Sequence, residues 1–142
     1  MPLFNFPGKR PSSLGGVGGR LAPCPANKSN CVVSLHAEES RTEGPHHVAP
    51  FSYEGDPGDA MTRVIAVLLQ SPNCRIISSR SDYIHAEFTS TILGFVDDVE
   101  FLLAASDSVI HVRSAARQGY SDFGVNRARV EDLREAFDEA DD

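Results

Sequence analysis

The sequence predicts an α+β fold, a two-layer domain in which an antiparallel β-meander is preceded and followed by a helix. Three observations carry this: helical spacing of apolar residues over about 57–71, a period of two from "RIISSR" to "SVIHVRSA", and helical spacing again over about 126–138. The length of 142 residues suits one core, since domains of roughly 100–150 residues are the commonest.

The elements follow in chain order. Residues 1–56 hold seven of the eleven glycines and most of the nine prolines, with little periodicity beyond "CVVSLH". Residues 1–22 are therefore expected as a flexible segment, and 23–142 as the single domain, with 23–56 wrapping it as loop. Asp56 can cap the first helix, Pro57 suits its first position, and Met61, Val64, Ile65 and Leu68 form its apolar stripe before Pro72 ends it. "RIISSR", "DYIHAEFTS", "FVDDVEFLLA" and "SVIHVRSA" then read as three or four strands joined by short turns. The last helix has Asn126 as its expected cap, Val125 and Val130 as a hydrophobic staple, and Val130, Leu133 and Phe137 as its buried stripe.

Alternation sorts the strands into faces. Ile84, Ala86 and Phe88, then Phe95, Val99 and Phe101, then Ile110 and Val112 are expected beneath the helices. Tyr83, His85, Glu87, Asp98, Glu100, His111 and Arg113 fall on the opposite side, read as a solvated face. Asp97 breaks the pattern by sharing the phase of Val99 and Phe101. A carboxylate there requires a cation or several donors, because unpaired burial costs several kcal/mol.

Charge restricts function. Twenty acidic against thirteen basic residues give a formal −7, which repels phosphate backbones and anionic lipid at long range, so no nucleic-acid partner is expected. The longest apolar run, "VIAVLL", is far below the roughly 18 residues that cross a bilayer, so no membrane insertion is expected either. "LAPC" lacks the apolar segment that a lipoprotein signal needs, and three cysteines suit a reducing compartment, so the expected location is cytoplasmic.

The densest chemistry lies in "VRSAARQGYSDFGVNRARVEDL", residues 112–133. Arg127 and Arg129 occupy the first turn of the last helix, where the macrodipole already presents positive charge and acidic residues are favoured. Arg113, Ser114, Arg117, Tyr120, Ser121, Asp122, Asn126 and Arg127 are the candidate set for binding a carboxylate or phosphate. The alternative is that the arginines pair with the chain's own carboxylates, among them Asp97, Asp98, Glu100, Asp122 and Glu131. His85 and Glu87 share one side of a strand, which suits acid/base work with Glu87 or Asp97 orienting His85 and Tyr120 or Ser121 near the reacting group. With no His-x-x-x-His helix and no paired Cys-x-x-Cys, neither metal nor cofactor is expected. Cys24 and Cys31 in "CPANKSNC" can be two reduced thiols, a redox pair, or zinc ligands with His36, His46 and His47.

Several of these stretches together resemble the bacterial and plastid family called domain of unknown function 1499: "LAPCPANKSNCVVS", "PFSYEGD", "DYIHAEFTS", "GFVDDVEF" and above all "VRSAARQGYSDFGVNRARVEDLR". The resemblance covers about residues 20–138. The chain departs from the family pattern at Ser29, usually Pro, and at Cys74, usually basic or polar. The resemblance implies a compact single domain and no particular activity. The residues themselves favour a non-catalytic domain that recognises a small anionic ligand or a protein partner through the arginine-rich loop and helix start. An enzyme centred on His85, or an interaction module with an exposed apolar patch around Tyr83 and Leu102, are the alternatives.

Overall fold

The computed structural model describes residues 2–16, 18–34 and 44–140. Two helices pack on one side of a six-stranded antiparallel sheet, as the alternation predicts. The strands are β1 (Cys31–Val33), β2 (Phe51–Ser52), β3 (Cys74–Ser79), β4 (Tyr83–Thr89), β5 (Val96–Ala104) and β6 (Val109–Ala116). Strands β3 to β6 form the expected meander. Strands β1 and β2, from the stretch read as loop, both pair with β6, giving the order β1-β6-β5-β4-β3 with β2 beside β1 on the same neighbour.

Helix α1 (Pro57–Gln70) begins as its sequence dictates: the Asp56 carboxylate accepts the Asp59 amide at 2.9 Å, and Pro57 stands at the first turn. Its Met61, Val64 and Leu68 join Val130, Leu133 and Phe137 of helix α2 (Val125–Glu139) over Ile84, Ala86, Val99, Phe101, Ile110 and Val112. Phe51 meets Phe101 and Phe137 with ring centroids 5.6 and 5.3 Å away. Burying each such ring contributes roughly 1.5–3 kcal/mol, so this layer supplies most of the hydrophobic driving force. Phe95 is a correction. It precedes β5, is 40% exposed, and packs on Phe6 rather than under the helices.

The start of α2 also differs from the expectation. Asn126 is not the cap but the second helical residue, fully buried, while Val125 is exposed and so cannot staple to Val130. Gly124 precedes the helix with φ of +82°, a conformation that costs glycine little.

The far face of the sheet is the larger correction. It is not solvated: Tyr83, His85, Asp98, Glu100, His111 and Arg113 are all buried there. A strap comprising residues 2–16 and 18–24 runs over it, contributing Arg10, Gly15 and Leu21 to the contacts. The expected patch at Tyr83 and Leu102 is covered too, forming a second small core with Leu21 and Val33. The strap begins against the β4–β5 turn, where the amides of Leu3, Phe4 and Phe6 donate to Thr91, Ile92 and Leu93 carbonyls. Gly94 permits this approach, since a Cβ there would stand 2.5 Å from the Phe4 carbonyl oxygen.

Candidate functional site

The arginine-rich loop delivers its side chains to two different sides of the sheet. Strand β6 alternates, so Ser114 faces the helices while Arg113 faces the strap, and Arg117 beyond the strand end also turns to the strap. Arg127 and Arg129 lie on α2, on the helix side. The four guanidinium groups therefore do not surround one point.

The start of α2 is capped from within. Asp122 accepts the amides of Gly124 at 2.8 Å and Asn126 at 3.0 Å, and the Asn126 side-chain amide at 2.7 Å. Burial would raise its pKa, but these bonds outweigh burial and hold the carboxyl below its usual range. An internal carboxylate thus occupies the positive end of the helix dipole. Asn126 is the hub of the loop: it donates to Asn30 O and accepts from Ser114 and Arg129. Arg129 also pairs with Asp97 at 2.9 Å, which is how a carboxylate survives in the apolar phase of β5. Burial still pushes Asp97 above its ordinary pKa, with Arg129 opposing the shift. Arg127 donates to the carbonyls of His47 and Pro45.

On the strap side, antiparallel register sets His85 opposite Glu100 and Glu87 opposite Asp98. His85 Nε2 lies 2.8 Å from Asp98 Oδ1. Arg117 holds Asp98 through both oxygens, at 2.7 and 2.9 Å, and also bonds Glu87, which Arg10 reaches at 2.6 Å from the strap. Burial would raise both carboxyls, yet the guanidinium bonds prevail and both titrate below their ordinary values. Tyr83 donates to Glu100 at 2.7 Å, and the Gly15 amide donates to the same oxygen at 3.0 Å. The second Glu100 oxygen makes no hydrogen bond among the described residues and stands 3.9 Å from Arg113. Arg113 instead donates Nε to the Ala22 carbonyl at 2.9 Å and Nη2 to the Pro23 carbonyl at 3.5 Å, leaving Nη1 without a hydrogen bond among the described residues. Desolvation pulls its pKa down, with Glu100 opposing.

The acid/base set does not assemble as the strand spacing suggested. Asp98 replaces Glu87 and Asp97 as the neighbour of His85, Asp97 faces the helices, and Tyr120 is exposed beneath the Lys28 ammonium. Asp98, expected as an arginine partner and found bonded to Arg117, is not predicted beside His85, because that partnership is cross-strand and invisible to spacing along one strand. It also completes a possible metal-ligating trio, since ligand atoms of His85, Glu87 and Asp98 lie within 4.8 Å of one another. Arg117 already supplies the cation for both carboxylates of that trio, so a metal ion would have to displace a bonded guanidinium.

A family model described as "protein of unknown function (DUF1499)" matches residues 20–137. The chain belongs to this family. No match to a curated protein is found. The DUF1499 match contains His85, Glu87, Asp98, Glu100, Arg113 and Arg117, but not the strap residues Arg10 and Gly15 that cover them.

Within the DUF1499 region, Cys24 and Cys31 form a disulfide that ties the strap to β1, while Cys74 is free. Two reduced thiols and a zinc site at these cysteines thus give way to a bridge; His36 lies outside the described residues. Burial pushes the Cys74 thiol up to about 11, which leaves it unreactive at neutral pH. No helix among the described residues is long and apolar enough to cross a membrane.

Two cavities border these networks. Between strap and sheet is a hollow of about 440 Å³ lined by Lys9, Arg10, Lys28, Arg113 and Arg117, with Asp98 as its acidic member. On the helix side, a cleft of about 870 Å³ runs between α2, the α1–β3 turn and the ends of β4 and β5. Its walls include Phe88, Phe95, Val125 and Leu133, and its polar groups include Asp97, Ser121, Asp122, Arg129 and Asp132.

Proposed function

We propose that this DUF1499 domain binds a small anion of phosphate or carboxylate type in the hollow beneath the strap. Supporting this is the local reversal of charge: five cationic side chains border the hollow in a chain whose formal charge is −7. The observation that carries the proposal is Arg113. Its side chain is 8% exposed, its nearest carboxylate oxygen is beyond hydrogen-bonding distance at 3.9 Å, and it retains donor capacity beside the hollow. A buried guanidinium with unused donors favours an oxyanion, because pairing recovers part of its desolvation cost. Lys9 and Lys28 supply charge at the rim; neither has an ion-pair partner among the described residues. Arg127 and the helix start do not belong to this site, since Asp122 already fills that anion position.

Titration of ¹⁵N-labelled protein with inorganic phosphate, sulfate and succinate is expected to shift the amides of Arg10, Ser12, Lys28 and Ala115–Arg117 saturably. Replacing Lys9 and Lys28 with Gln should weaken binding about tenfold, at up to about 1 kcal/mol per exposed charge. Absence of saturable shifts in those amides, or indifference to the lysines, would refute the proposal.

A further inference from the structure

The cleft on the helix side is chemically the opposite of the hollow. Residues 125, 128, 129, 132 and 133 recur at helical spacing and so present one stripe of α2 to it. Three carboxylates line the cleft, and two are committed: Asp97 to Arg129, and Asp122 to the amides that begin α2. Asp132 has no ion-pair partner among the described residues. Arg129 is committed as well, shared between Asp97, the Asn126 side-chain oxygen and the Phe88 ring, whose centroid is 4.9 Å away. The guanidinium of Arg117, though its residue borders the cleft, is bonded on the far side of the sheet to Asp98 and Glu87. The cleft is therefore left with surplus negative charge and no free cation for an anionic guest.

The walls demand something else. Phe95, although it touches Phe6, is 40% exposed and Val125 48%, and both line the cleft, so its walls offer accessible apolar surface. The volume of about 870 Å³ lies within the roughly 300–1,000 Å³ of small-molecule sites. A flat protein partner would leave such a concavity unfilled, whereas a compact organic molecule fills it.

We infer that the cleft is a second binding site, selective for amphipathic organic cations. An aromatic or branched aliphatic body packs against Phe88, Phe95, Val125 and Leu133, and a protonated amine is held by Asp132 with Asp97 behind it. The site lies across the sheet from the hollow, so it stands or falls independently of anion binding there.

Three probes matched in shape but not in charge test this: 2-phenylethylamine, 2-phenylethanol and 3-phenylpropionate, each titrated into ¹⁵N-labelled protein at neutral pH. The amine is expected to shift amides of Asn73, Thr89, Asp97 and Ala128–Leu133 saturably and to bind several-fold more tightly than the alcohol, with the carboxylate weakest. Asp132→Asn should lower amine affinity about fivefold while leaving the alcohol unchanged. Ala128→Trp, at an exposed helical position lining the cleft, should intrude on it and weaken binding of both. Equal affinity for the three probes, tightest binding of the carboxylate, or no shift in these amides would overturn the inference. So would concentration-dependent shifts of the same amides in probe-free protein, which would make a second copy of the chain the occupant.

Discussion

Asp122 resolves the anomaly of two arginines in the first turn of a helix. The dipole there is met by the Asp122 carboxylate, three residues before the helix begins at Val125, while Arg127 donates to loop carbonyls and Arg129 pairs with Asp97. Asp122→Ala removes three hydrogen bonds and the compensating charge together. It is expected to cost about 1–2 kcal/mol, at the upper end of capping effects, measured by urea unfolding. A loss within a few tenths of a kcal/mol of zero would mean that water or a solute serves the helix start equally well. In sequence, Asn126 looked like the cap because it adjoins the apolar stripe. The cap position is Gly124, and the carboxylate that serves the helix start is Asp122, four residues before Asn126, in a left-handed turn through Phe123 and Gly124 that no periodicity reveals.

At the scale of elements, most of the fold was legible. Asp56 and Pro57 announce α1, and the period of two announces β4, β5 and β6, because those signals are local. Strands β1 and β2 are three and two residues long, too short to carry a period, and gain their identity only from β6. The strap escaped for a related reason: it binds through the Gly15 amide and the Arg10 guanidinium to partners 85 and 77 residues away. The polar face of the sheet is therefore legible in membership but not in environment, and Asp98, legible as an arginine partner, gains its contact with His85 only across strands. One covalent link holds strap to sheet. Reducing the Cys24–Cys31 bridge, or replacing both cysteines with Ser, is expected to cost about 2–3 kcal/mol, as loop-closure entropy for a short loop implies. Urea unfolding with and without a dithiol reductant measures it, and coincident curves would show that the strap is held by its polar contacts alone.

For the whole molecule, carboxylates shifted in opposite directions set the response to acid. Asp98 and Glu87 titrate below their ordinary 3.8 and 4.5, so their contribution is complete above the unfolded values and lost as pH falls through the depressed folded ones. Asp97 is shifted upward, so its ionised form weakens the fold at neutral pH and acid relieves it. Asp122 is depressed as well, so three carboxylates against one make stability level from pH 7 to about 5 and falling below about pH 4, followed by urea unfolding at each pH. Stability that rises steadily into acid would show Asp97 dominant. The strap also fixes an order of folding events. Its partners on β4, β5 and β6 are the last strands of the chain, and contacts spanning 77 to 85 residues close slowly. During synthesis the strap emerges before β4, β5 and β6 and must wait for them before it can dock. Until then Asp98, Glu100 and Arg113 remain in water, and their desolvation is deferred to a late folding event.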